Sequence, residues 1–122
     1  MLNQQLIQNI IDISHLAGAK IIDIYQNDFA IYEKSDKSPL TEADLAAHNC
    51  IVEGLAKVSD LPILSEESAD ISWQERNTWD TYWLVDPLDG TKEFIKKNGE
   101  FTVNIALIKD GVPVFGVVYA PV

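Results

Sequence analysis

The run Trp83-Leu84-Val85-Asp86-Pro87-Leu88-Asp89-Gly90-Thr91 constrains this chain more than any other, because an apolar strand leads straight into two carboxylates, a proline, a glycine and a hydroxyl. Pro87 has no N–H for a ladder, and Gly90 tolerates backbone conformations that other residues resist, so the strand is expected to turn here and a helix to start at Thr91. A core has no use for two acids in this position. Converging carboxylate oxygens suit a hard divalent cation, and the free N–H groups of a helix start suit a phosphate. The same residue types also make an ordinary solvated turn, so the rest of the chain has to separate the two readings.

Apolar spacing sets out the other elements. In residues 3–25, Leu6, Ile10, Ile13, Ala17, Ile21 and Ile24 recur every three or four residues, which predicts an amphipathic helix with one buried stripe. Residues 27–40 show little periodicity; one or two strands are expected around 30–33, followed by a mobile loop that contains Pro39. Thr41 and Asp44 have the spacing of a capping box and open a second helix, whose buried side carries Leu45 or Ala47, His48, Ile51, Leu55 and Val58. Residues 62–65 read as a short strand ending in Glu66-Glu67, residues 68–80 as a helical turn and loop, and residues 82–85 as a strand. A short helix over 91–96 precedes two strands, 101–108 and 114–119, which Asp110-Gly111 joins into a hairpin. No repeat or composition shift divides the 122 residues, which suffice for one hydrophobic core and not comfortably for two.

Charge narrows the partners. Nineteen acids against nine lysines and arginines leave a net charge of −10, which argues against binding a nucleic-acid backbone. An anionic ligand at an acidic site then requires metal cations. No basic segment with an apolar core and no apolar stretch approaching the ~18 residues of a membrane span is present, and the single cysteine, Cys50, has no internal disulfide partner. A reducing, cytoplasmic compartment is the expectation, with Cys50 a small apolar helix residue. Residues 115–122 form an apolar strand without a polar tail, so a cover is expected there: further chain, or a second copy at a dimer interface.

Two predicted strand ends deliver acids, Glu66-Glu67 and Asp86 with Asp89. If those strands are neighbours, three or four carboxylates converge, and like charges so crowded need a cation such as Mg²⁺ among them. All-oxygen ligands select a hard metal; His15 and His48 fall on separate helix faces, so no zinc set is expected. Gly90 and Thr91 can offer N–H groups to a phosphate. Asp44 has two readings side by side: a helix cap, or a carboxylate that takes the Thr91 hydroxyl and so orients a water.

Leu64-Ser65-Glu66-Glu67-Ser68 followed by the Trp83–Thr91 run resembles the lithium-sensitive, magnesium-dependent phosphatases of the inositol monophosphatase superfamily. Lys37-Ser38-Pro39-Leu40-Thr41-Glu42-Ala43-Asp44 is similar to a third element of that family. Lys92-Glu93-Phe94-Ile95, with Asn98-Gly99-Glu100-Phe101-Thr102-Val103-Asn104-Ile105, resembles the branch of bacterial 3′(2′),5′-bisphosphate nucleotidases of sulphur assimilation. The fold so implied is α+β, the N-terminal half of a layered αβαβα sandwich of the sugar-phosphatase kind, with two long helices on a largely antiparallel sheet.

The resemblance implies a site with two or three Mg²⁺ ions. One would take Glu66, Asp86 and the carbonyl of Leu88; another would take Asp86 and Asp89. Asp44 and Thr91 become the pair that activates water for in-line attack on phosphorus, and the N–H groups of Gly90 and Thr91 hold the phosphate. Glu67 stands behind the ligands or in the loop, and Lys37 is an accessory that closes the site or an exposed lysine. The implied substrate is a nucleotide bisphosphate, adenosine 3′,5′-bisphosphate or its sulphated form, and the implied location is cytoplasmic or peripheral on the inner face of the cell membrane. Two alternatives stand beside this: an inactive N-terminal fragment or interaction half-domain, and an inositol or fructose phosphate phosphatase. The family's further aspartate for the second cation lies in a C-terminal half with no counterpart in these residues, so residues 1–122 read as one N-terminal domain.

Overall fold

The structure is a computed structural model that describes residues 2–27, 31–33, 39–67 and 71–122. Helix α1 (Gln4–Tyr25) starts where the Asn3 side chain accepts the Leu6 N–H at 2.8 Å. It buries Ile10, Ile13, Ala17 and Ile21 on the stripe that the spacing predicts. Strands β1 (Ile31–Glu33) and β2 (Pro39–Thr41) pair antiparallel, with Ile31 opposite Thr41. Pro39 and Leu40, expected in a loop, are therefore strand: a partner six to eight residues away in sequence supplies what local periodicity cannot show.

Helix α2 (Glu42–Val58) begins at Thr41 with the expected capping box. Its buried face is Ala43, Asp44, Ala47, Ile51 and Leu55, whereas Leu45 is 39% exposed and His48 and Val58 are half-buried. The stripe thus runs through Ala47 rather than Leu45, because small residues let α2 lie close to α1. A Cβ added at Gly54 would stand 2.9 Å from Cγ1 of Ile13.

The main sheet has the order β3-β4-β5-β6, formed by β3 (Ile63–Ser65), β4 (Thr81–Asp89), β5 (Thr102–Lys109) and β6 (Val112–Tyr119). β3 runs parallel to β4, and the other pairs are antiparallel. A short helix α3 (Trp73–Arg76) precedes β4, and α4 (Thr91–Lys96) follows it. Asp110 (φ 52°) and Gly111 (φ 77°) make the tight hairpin turn in the left-handed region that the twist of the two strands favours.

Alternation along the strands separates two faces. Trp83, Val85, Val103, Ile105 and Leu107 are buried against α1 and α2, each removal of a large apolar side chain from water contributing about 2 kcal/mol. The opposite face leaves Leu84 38% and Val118 74% exposed. Tyr25, Phe94 and Phe101 meet with ring centroids 5.1 to 5.3 Å apart, which ties α4 to α1 and to the start of β5. Among the described residues no helix is long and apolar enough to cross a membrane.

The segment Asp86-Pro87-Leu88-Asp89, expected as a turn, is instead the distorted end of β4. Asp86 pairs with Asn104 and Asp89 with Thr102, so three steps on β4 oppose two on β5. That is a β-bulge, and Pro87 fits within it because the bulge leaves a residue out of the ladder. It also changes which way side chains face. Residues three apart on a regular strand point to opposite faces, but the extra residue restores Asp86 and Asp89 to the face shared by Asn104 and Thr102.

Candidate active site

Because β3 and β4 are parallel neighbours, their carboxyl ends reach the same edge of the sheet. The Glu66 N–H donates to the Val85 carbonyl at 3.0 Å, extending the pairing one residue beyond β3 and setting Glu66 beside Asp86. A hollow of about 270 Å³ opens there, and Asp44, Glu66, Asp86 and Asp89 line it with Leu88, Gly90 and Thr91. Glu67 and Glu93 complete six acids around the hollow, with Lys92 the one basic residue among those that line it. Lys37 lies outside the described residues. Every other residue that the sequence singles out for chemistry meets at this hollow.

Asp44 resolves its two readings by combining them. Its Oδ2 accepts the Thr41 N–H at 2.9 Å and the Thr41 hydroxyl at 2.7 Å, the capping interaction. Its Oδ1 accepts the Thr91 hydroxyl at 2.9 Å, across 47 residues of sequence. Thr91 has one hydroxyl proton, and the Leu88 carbonyl at 3.4 Å is too distant to compete for it. Asp44 is only 2% exposed, so α2 presents a carboxylate whose two oxygens are both committed and whose direction is fixed.

Gly90 makes the turn from β4 into α4. Its φ of 97° is in the left-handed region, and a Cβ there would stand 2.9 Å from the Glu100 carbonyl oxygen. Its own carbonyl accepts the Phe94 N–H at 2.9 Å, and Phe94 is fully buried, so the first turn of α4 is anchored from the core. Leu88 is anchored in the same way, 3% exposed. The first N–H groups of α4 have no carbonyl within the helix to bond.

Sequence reasoning gave no role at this site to Asn104, Thr102, Ser65 or His48. Asn104 Nδ2 donates to Asp89 Oδ2 at 3.2 Å, and the Thr102 hydroxyl donates to Asn104 Oδ1 at 2.9 Å. His48 Nδ1 stands 2.8 Å from the Ser65 hydroxyl, which also accepts the Glu67 N–H at 3.3 Å and so braces the turn that carries Glu66. Burial pushes the His48 pKa below its ordinary 6.5, with the negative charge of Glu67 pulling the other way. Burial likewise raises the Cys50 thiol, against the pull of Lys20.

Apart from Lys92, the polar side chains around the hollow offer oxygens, the set that Mg²⁺ or Ca²⁺ takes. Six acids facing one hollow repel one another, and a divalent cation is what such a set accommodates. Among the described residues no group of three or more Asp, Glu, His or Cys side chains is drawn tightly enough together to enclose an ion. The carboxylates share the hollow without closing on its centre.

Residues 2–122 match the inositol monophosphatase family. The chain is 52% identical over 120 residues to the 3′(2′),5′-bisphosphate nucleotidase CysQ of Salmonella typhimurium, a match covering 96% of this chain and 48% of that protein. It therefore spans about half the length of the curated relatives it matches. The crystal structure of CysQ from Bacteroides thetaiotaomicron, a bacterial member of the inositol monophosphatase family, superposes with a TM-score of 0.82 at 52% identity, over 97% of this chain and 43% of that one. An IMPase/NADP phosphatase complexed with Mg²⁺ and phosphate shares the fold at a TM-score of 0.81 and 20% identity, over 97% of this chain and 44% of its own. The motifs around Glu66 and Asp86, the helices on a mixed sheet and these matches agree: the chain belongs to the inositol monophosphatase family.

Proposed function

We propose that residues 1–122 carry the acidic half of a Mg²⁺-dependent phosphomonoesterase that hydrolyses the 3′-phosphate of adenosine 3′,5′-bisphosphate to give AMP, or acts likewise on its sulphated form. The observation that carries this reading is the 2.9 Å hydrogen bond from Thr91 to Asp44 at the rim of the six-acid hollow. With its proton directed to Asp44 Oδ1, the Thr91 oxygen presents lone pairs to a water, orients it and receives its hydrogen bond as it turns toward phosphorus.

Glu66, Asp86 and the Leu88 carbonyl are the donors for one cation, and Asp86 with Asp89 for another. Bound there, Mg²⁺ would neutralise phosphate charge and lower the pKa of water. The N–H groups of Gly90 and Thr91 hold the phosphate, on a turn whose φ only glycine adopts easily. Lys92 supplies positive charge at the rim for a second phosphate, which favours a bisphosphate over an inositol or fructose monophosphate. The nucleotidase relatives at about half identity support the same substrate class.

A second reading rests on the exposed outer sheet face, where Leu84 is 38% and Val118 74% accessible. In it the chain holds the metal site but turns over substrate only when the remainder of the family's fold, or a second copy, covers that face. Phosphate release from adenosine 3′,5′-bisphosphate separates the two readings. Release that requires Mg²⁺ and vanishes in Asp86→Asn supports an active chain; metal binding with no release supports the dependent half; neither binding nor release contradicts both.

A further inference from the structure

The bulge in β4 brings Asp89 opposite Thr102 and leaves Asp86 opposite Asn104, so Asn104 lies across from one aspartate and diagonal to the other on the face they share. Its amide nitrogen donates to Asp89 Oδ2 at 3.2 Å. A carboxylate only accepts, so the amide must turn its nitrogen toward Asp89 and its oxygen toward Thr102. The Thr102 hydroxyl meets that oxygen at 2.9 Å as a donor. Donor and acceptor roles are thereby consistent along the whole chain Thr102–Asn104–Asp89.

Asp89 itself is exposed, at the last residue of β4 before the glycine turn. An exposed aspartate explores several rotamers, and each reorients the oxygens it offers to a cation. We propose that Asn104 is a positioning residue: held by Thr102, it fixes the Asp89 carboxylate in the orientation from which its other oxygen faces the hollow. The proposal rests on the assignment of Asp89 as a metal ligand. It adds two residues on β5 to a site that otherwise draws on α2, β3, β4 and α4. Hydrogen-bonded partners behind a ligating carboxylate commonly contribute about ten- to a hundredfold to metal affinity, and the exposure of this pair places it at the lower end.

Titration calorimetry with Mg²⁺ alone, on the 122-residue chain, reads the effect without needing turnover. Asn104→Leu, which keeps size and removes the amide, is expected to weaken binding by about tenfold while the metal-free melting temperature stays near that of the wild type. Thr102→Val is expected to weaken it about threefold, and Thr102→Ser, which keeps the hydroxyl, to restore it. The double variant Thr102→Val/Asn104→Leu should bind no more weakly than Asn104→Leu, since Thr102 acts only through Asn104. If Asn104→Leu fails to fold, Asn104→Ser takes its place, with the same loss expected. Unchanged Mg²⁺ affinity in a folded Asn104 variant overturns the proposal and leaves the metal site standing. Full additivity of the two changes also overturns it. No Mg²⁺ binding by the wild type overturns the metal-site reading and this proposal with it.

Discussion

The two extremes of one sheet are finished to different degrees. At the carboxyl ends of β3 and β4, polar groups are committed to named partners: Asp44 uses both oxygens, Asn104 both ends of its amide, and Ser65 braces the turn into Glu66. On the outer face and along β6, Val112, Val114 and Val118 remain 57%, 47% and 74% exposed. The difference separates what this chain can do by itself from what needs a cover. Orientation of the Asp44–Thr91 pair is built into these residues, whereas burial of the outer face is not.

Changes at the polar end should act on chemistry far more than on folding. Thr91→Val removes the hydroxyl and is expected to lower kcat by about 10²- to 10⁴-fold with little change in melting temperature, read by phosphate release and thermal unfolding. Asp44→Ala breaks the comparison deliberately, since it loses the same catalytic contact and the helix cap; the activity loss should match Thr91→Val while stability falls by about 1 to 2 kcal/mol more. Gly90→Ala forces a side chain into a φ of 97° against the Glu100 carbonyl and should cost more than about 1 kcal/mol, with weaker phosphate binding. Val112→Lys acts at the other extreme, at the hairpin end of β6. It should leave Mg²⁺ affinity alone and change chain stability by less than about 0.5 kcal/mol, while lowering self-association measured by sedimentation.

The smallest effect is one of pH. The folded-state pKa of His48 lies below its unfolded value, so the folded chain binds its proton less readily. The stability this confers is present above the unfolded pKa of about 6.5 and is lost as pH falls toward the folded value. Thermal unfolding of His48→Gln against wild type should therefore show a gap that narrows between pH 7.5 and 5.5; a gap that widens contradicts the burial argument.

Much of this was legible from residue order. Period-3.6 stripes placed α1 and α2, the Asp110-Gly111 pair placed the hairpin, and the acids after two apolar strands pointed to one site. What local order hides is what depends on a partner strand. The bulge at Pro87 is defined only by counting residues on β5, so the segment reads as a turn until its neighbour is known. Asn104 looks like an ordinary polar position in an alternating strand, and only the bulge makes its side chain reach Asp89. The strand at residues 39–41 needs Ile31 across from Thr41. The double use of Asp44 needs Thr91 brought back over 47 residues, which spacing alone leaves open.

The central claim is that the hollow around Asp86 is a divalent-cation site within these residues. Calorimetric titration of Mg²⁺ into the 122-residue chain and into Asp86→Asn tests it most directly, because Asp86 is the donor proposed for both cations. Saturable Mg²⁺ binding by the wild type, lost in a variant of unchanged melting temperature, is the predicted result. Equal binding by the two proteins, or none by the wild type, would contradict it.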